Sequence, residues 1–173
     1  VPGMAAIRQA RKAIDDLGKR GEISLVYAGG IRNGADVAKA IALGAEAIAI
    51  GHSVMMALNC NKDIPEADYE AEIGAAPGYC YHCHTGRCPV GVATQDMELR
   101  KRLDPDEAAE RVYNFLHTLT IEAQMFARAC GKTNIHSLEP EDLAALTMEA
   151  SAMAGVPLAG TNHTVGVEDY HHL

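Results

Sequence analysis

The run Ile23-Ser24-Leu25-Val26-Tyr27-Ala28, closed abruptly by Gly29-Gly30, decides the fold class together with the twenty residues after it. A helix-like segment from about Gly34 to Leu43 is stopped by Gly44, and Ala47-Ile48-Ala49-Ile50-Gly51 reads as a second strand. Two apolar strands joined by one short helix predict a parallel βαβ element, with both sheet faces covered. Upstream, Ile7, Ala10, Ile14 and Leu17 recur at helical spacing within residues 4–18. Arg8, Arg11, Lys12, Asp15 and Asp16 fill the other faces, and Gly18 and Gly21 bracket the stop. Downstream, residues 52–59 read as helical. From Cys60 to Tyr79 the pattern breaks at Asp63, Pro65, Gly74, Pro77 and Gly78, leaving an acidic linker through Glu66, Asp68, Glu70 and Glu72. Asp104-Pro105-Asp106-Glu107 is a helix start, with Asp at the N-cap, Pro at N1 and Glu at N3. Val112, Phe115/Leu116, Leu119, Ala123 and Phe126 form the expected core stripe, and Gly131 supplies the stop. A last helix is expected from Glu139-Pro140 through Leu143, Leu146 and Ala150.

At 173 residues the chain can bury a sizeable core. It is too short to close a (β/α)8 barrel, which takes about 250 residues. The first residue is Val1 and a helix begins almost at once, so the chain is expected to be a piece of a longer polypeptide. With 48% hydrophobic and 22% charged residues it is globular rather than disordered. No apolar run approaches the ~20 residues of a membrane span. A net charge of −8 argues against nucleic-acid or anionic-membrane partners, which need clustered Lys and Arg. Without an export signal at the start, the five cysteines suggest a reducing, cytoplasmic setting, where spaced cysteines are more often metal ligands than disulfides.

Two strand ends are glycine-rich: Ala28-Gly29-Gly30-Ile31-Arg32 and Ile50-Gly51-His52-Ser53. Glycines admit close approach of a phosphate to the backbone, and the common phosphate site of (β/α)8 barrels lies after the seventh and eighth strands. The alternative is that they only make tight turns. Arg32 either adds charge to such a site or is a solvated loop residue, and His52 reads as a polar loop residue. Cys80-x2-Cys83-x4-Cys88, with Pro89 behind it and Cys60 upstream, suits a single metal centre. Iron–sulfur and tetrahedral zinc, the latter with His82 or His84, both fit the spacing. Cys130, near the end of the long helix, is expected to be a buried structural cysteine.

The run His84-Thr85-Gly86-Arg87-Cys88-Pro89-Val90-Gly91-Val92-Ala93-Thr94-Gln95-Asp96, preceded by Ala57-Leu58-Asn59-Cys60, resembles the FMN-binding synthase domain of glutamate synthase, closest to its archaeal-type relatives. The resemblance takes in Gly29-Gly30-Ile31-Arg32, Gly34-Ala35-Asp36-Val37 and Gly44-Ala45 to Gly51. It implies an α/β fold: the C-terminal part of a TIM (β/α)8 barrel with an iron–sulfur loop and C-terminal helices. Residues 1–59 are then the last βα units of the FMN-binding barrel, 60–96 the cysteine-rich segment and 97–173 a helical extension. The flavin phosphate falls to Gly29, Gly30, Arg32, Gly51 and Ser53. The cluster falls to Cys83 and Cys88, then Cys80 and Cys60. The family pattern is a three-cysteine 3Fe–4S cluster whose first ligand follows an Ala-Leu-Gly-type helix end. Here residues are inserted after Cys60 and Cys80 is added, which opens a four-cysteine 4Fe–4S alternative.

The implied chemistry is reductive amination. Ammonia released from glutamine by a glutaminase domain or subunit condenses with 2-oxoglutarate, and reduced FMN delivers hydride to the imine carbon to give glutamate. The cluster relays electrons from ferredoxin or from an NAD(P)H-oxidising subunit. Substrate-binding and catalytic side chains are expected on earlier strands, upstream of Val1. The alternatives are an N-methylglutamate-forming synthase using methylamine and glutamate, and a non-catalytic zinc-stabilised module.

Overall fold

The structure, a computed structural model, describes residues 2–60 and 80–166. The expected acidic linker falls on 61–79, outside the described residues. The chain divides into two units, Val1–Ile50 with Thr118–Leu173, and Gly51–His117.

In the first unit, helix α1 (Gly3–Asp16) leads to strand β1 (Val26–Ala28), helix α2 (Gly34–Ala42) and strand β2 (Ala47–Ala49). The strands pair in parallel with Val26 opposite Ala47, Tyr27 opposite Ile48 and Ala28 opposite Ala49, so the predicted βαβ element is present. Asn33 starts α2 by accepting the Asp36 N–H on its side chain. The core forms where Ala38 and Ala42 of α2 meet Ala127 and Leu138, with Ile135 and Leu143 packed against them. Small residues on α2 let the facing helix approach closely.

Several expectations change. Among the described residues the sheet has only these two strands. The fold is thus mixed α/β and mostly helical, and no closed barrel is formed by these residues. Tyr27 and Ile48 are half-buried, while Val26, Ala28, Ala47 and Ala49 on the opposite face are exposed rather than covered. On α1, Ile7 is buried as expected, but Leu17 is exposed and Arg11, placed among the residues that fill the other faces, is only 5% exposed. The Arg11 guanidinium is held by Glu46 at 2.8 Å and lies 3.4 Å from Asp15, which makes its burial tolerable.

The long helix α5 (Pro105–Ala129) contributes residues from Thr118 onward to this unit. Its buried line is Leu119, Ala123 and Ala127; Phe126 is 46% exposed, so the stripe runs at strict i, i+4 spacing. Cys130 follows the last helical residue and is exposed rather than structural. The last predicted helix is broken in two. Pro140–Asp142 makes a single 3₁₀ turn, in which the Asp142 carboxylate accepts the Glu139 N–H at 2.9 Å. Ala145 then commits its backbone N–H and C=O to Pro157 and Ala159, an extended pairing incompatible with helix. Helix α6 (Met148–Ala154) starts afresh at Thr147, whose hydroxyl accepts the Ala150 N–H.

The second unit holds helix α3 (His52–Ala57), a 3₁₀ turn (His82–Thr85), helix α4 (Met97–Arg100) and the first part of α5. Asp104 caps α5 as predicted, its Oδ1 accepting the N–H groups of Asp106 and Glu107 at 3.0 and 3.1 Å. Glu107 pairs one turn onward with Arg111. No described helix is long and apolar enough to cross a membrane.

Candidate functional site

The first glycine-rich strand end is a turn built from local rules. After Ala28 the backbone passes through Gly29 (φ 118°) and Gly30 (φ 67°), left-handed conformations in which a side chain is strained. A Cβ at either position would meet no atom within 4 Å. The turn is pinned from below by buried Ile31 and from behind by Asp36. One Asp36 oxygen accepts the Arg32 backbone N–H at 3.1 Å and sits 3.4 Å from its guanidinium Nε, while the other pairs with Lys39 at 2.9 Å. Burial alone would raise the Asp36 carboxyl, but Lys39 and the Arg32 donors hold it below its ordinary value. The Arg32 side chain is mostly exposed, tethered at Nε. Gly29, Gly30 and Arg32 are thereby gathered on one turn.

Gly51 and Ser53 lie at the start of α3, where Gly51 is the N-cap residue. Its φ of −110° demands no glycine, and a Cβ there would also meet nothing within 4 Å.

The other end of α3 carries Cys60. Asn59 takes φ 75° and donates its N–H to Met56 O. The Cys60 N–H then bonds back to Met55 O at 3.0 Å. This is a Schellman ending, and it turns Cys60 back along the helix.

The remaining cysteines lie on a closed loop. Cys80 and Cys83 are exposed, on either side of Tyr81, whose ring stacks on His82 at 5.0 Å. His84 Nδ1 lies 3.2 Å from Tyr81 O. Beyond the 3₁₀ turn, Arg87 and Thr94 pair antiparallel, and the Thr94 hydroxyl donates to Gly86 O while accepting the Asp96 N–H at 3.0 Å. Asp96 caps α4, accepting from Glu98 and Leu99, and these two donors, with Arg87, lower its carboxyl pKa. Inside the loop Cys88, Pro89 and Val90 are buried. Gly91 sits so close to α4 that a Cβ would lie 2.6 Å from Leu99 O, and Arg102 Nη1 donates to Pro89 O at 2.7 Å. The frame encloses Cys88, while Cys83 lies exposed on the 3₁₀ turn before it.

All five cysteines are free. Burial, with the neighbouring cysteines Cys83, Cys88 and Cys80 adding to it, pushes the Cys60 thiol up. Among the described residues no three Cys, His, Asp or Glu side chains stand in a metal-holding arrangement. The donor set suits a soft metal centre in kind: thiolates are the preferred ligands of iron–sulfur clusters and of zinc.

Sequence reasoning missed the groups that hold these sites: Asp36, Thr94 and Arg102. Asp36 alone left a signal, three residues after a helix-capping Asn33.

The conserved-region model of glutamate synthase matches residues 1–65 and 69–133. A glutamate synthase large subunit-like protein of Rhizobium meliloti is 53% identical over 94% of this chain and 36% of its own length. The archaeal glutamate synthase (NADPH) of Methanocaldococcus jannaschii is 41% identical over 80% of the chain and 24% of its own. An archaeal-type glutamate synthase (NADPH) of Dehalococcoides mccartyi is 34% identical over 92% of the chain and 29% of its own. The chain thus spans little more than a third, at most, of the length of these relatives. It belongs to the glutamate synthase family.

Proposed function

We propose that this chain is the C-terminal part of the FMN-binding domain of a glutamate-synthase-type oxidoreductase. In this reading residues 1–59 supply the last βα units of a (β/α)8 barrel, 60–96 the cluster-binding segment and 97–173 the helical extension. The observation that supports it is the frame closed by Thr94 and Gly91 around the buried Cys88, with Cys83 on the exposed turn just before it. Gly29, Gly30 and Gly51 leave open space over the backbone, room for a phosphate to approach, and Arg32 supplies a cation held by Asp36. Ser53 adds a hydroxyl beside Gly51. Cys83 and Cys88 are the primary cluster ligands, with Cys60 and Cys80 completing a three- or four-thiolate set. Bound there, FMN supplies hydride for the reductive amination of 2-oxoglutarate, and an iron–sulfur cluster supplies its electrons from ferredoxin or an NAD(P)H-oxidising partner. This chain's own work is to hold the phosphate and to keep the thiolates in place. A glutaminase domain or subunit delivers the ammonia, and the setting is the reducing cytoplasm.

Two measurements on the full-length protein test this. It should form glutamate from glutamine and 2-oxoglutarate with a reduced donor; product formation only from methylamine and glutamate would move the assignment to the N-methylglutamate-forming synthase. Gly51→Ala adds a methyl group at a negative φ, with no protein atom within 4 Å of it. It should therefore weaken FMN binding without loss of folding, and unchanged FMN affinity would remove Gly51 from the phosphate site.

A further inference from the structure

We propose that Glu122, on α5, is a positioning residue for the phosphate turn. It fixes the start of α2, and with it the Gly29–Arg32 turn, in the form that receives the phosphate. The inference rests on the reading above, that this turn takes the FMN phosphate.

The first N–H groups of a helix have no partner inside the helix and carry its positive end. At α2 two of those donors are already taken by protein acceptors. Glu122 Oε2 accepts the Gly34 N–H at 2.7 Å, from a residue 88 positions away in sequence. Asn33 Oδ1 accepts the Asp36 N–H at 3.0 Å, and Asp36 in turn accepts the Arg32 N–H. Two carboxylates therefore occupy the end of α2 where an anion would otherwise bind. What remains open to an anion is the Gly29-Gly30 backbone and the tethered Arg32 guanidinium.

The contact between α5 and α2 is also one of backbone on backbone. A Cβ on Gly34 would lie 2.3 Å from Glu122 Cβ, 2.5 Å from Ala123 N and 2.6 Å from Leu119 O. Gly34 thus lies directly against α5, and the Glu122 carboxylate sets its height and direction there. Asn33 alone separates Gly34 from Arg32, so a displacement of Gly34 passes directly into the turn. The carboxylate acts through its acceptor oxygen, not through its charge, which a nearby phosphate would oppose.

The test uses the full-length protein, stripped of flavin and titrated with FMN and with riboflavin, which lacks the phosphate. Glu122→Ala should weaken FMN about tenfold, the order expected for one lost hydrogen bond to a charged group, and leave riboflavin unchanged. Glu122→Gln, which keeps an acceptor oxygen, should hold FMN affinity within about twofold of the parent. Glu122→Asp, one methylene short, should behave as the alanine variant and serves in its place if that variant does not fold. Gly30→Val provides the control for the phosphate turn itself and should abolish FMN binding while riboflavin still binds, which separates a blocked phosphate from strain at that positive φ. If Gly30→Val abolishes it while Glu122→Ala and Glu122→Asp leave it intact, the positioning role is overturned and the phosphate turn stands. Equal losses for FMN and riboflavin would overturn it too, since Glu122 would then serve only packing. If Gly30→Val leaves FMN affinity unchanged, the phosphate turn itself is wrong and the inference falls with it.

Discussion

Thr94→Val is the sharpest probe of the cysteine loop, because it removes one hydroxyl and keeps the shape of the side chain. Thr94 is almost fully buried, donates to Gly86 O and accepts from the Asp96 N–H, so a single oxygen ties the two ends of the loop around Cys88. Each such bond is worth about 1 kcal/mol net, and partners left unpaired in a half-buried loop raise the cost. The expected loss is about 2 kcal/mol, confined to the loop. It should be read by amide hydrogen exchange of the full-length protein at Gly91 and Leu99, whose N–H groups bond to Cys88 O and to the Asp96 cap. Local opening made easier by about 2 kcal/mol speeds exchange at these amides roughly thirtyfold. Thr94→Ser keeps the oxygen and loses one methyl group, so its change should stay near 0.8 kcal/mol, about fourfold. If valine exchanges no faster than serine, the hydroxyl does not close the loop and the frame around Cys88 is held some other way.

Three further outcomes are expected from named contacts. Gly34→Ala places a methyl group against the α5 backbone, which cannot yield as a side chain end could, and should destabilise the protein by about 3 kcal/mol in thermal or chemical unfolding. Asp36→Asn should be destabilising in a pH-dependent way. Because the folded-state carboxyl lies below its ordinary value of 3.8, its contribution is complete above that value and is lost as pH falls through the lower, folded-state one. The stability gap between parent and variant, followed by thermal melts from about pH 6 downward, should therefore narrow only in acid; a gap that is constant with pH refutes the charge pairing with Lys39 and Arg32. Cys130→Ser should leave bound iron unchanged, since Cys130 lies at the end of α5, outside the Cys80–Cys88 loop, whereas Cys83→Ser and Cys88→Ser should lose it, a hydroxyl being a poor soft-metal ligand; equal iron in all three would remove the loop from the centre.

The βαβ element was legible because its signals are local: apolar runs of strand length, a helix stopped by Gly44 between them and glycines at the ends. So were the Asp104 cap and the spacing of the cysteine loop. What failed to show in sequence depended on partners far along the chain. Arg11 looks solvated on a helical wheel, and only Glu46 and the face of α1 turned inward make it a buried ion. Glu122 reads as an ordinary polar position on a long helix until Gly34 is found beneath it. The final helix failed because a proline and acidic residues suggested one start, while the Ala145 backbone was claimed by a pairing with residues 157–159 that periodicity cannot reveal. The exposed face of Val26, Ala28, Ala47 and Ala49 was not legible for a related reason: an apolar run reports hydrophobicity and not what packs on it.

The central claim is that the cysteines hold iron in a glutamate-synthase-type oxidoreductase, and metal and sulfide analysis of the full-length protein purified without oxygen tests it most directly. The account predicts a brown protein with stoichiometric iron and acid-labile sulfide, and an iron–sulfur EPR signal in one redox state. A colourless protein carrying stoichiometric zinc and no iron would contradict it.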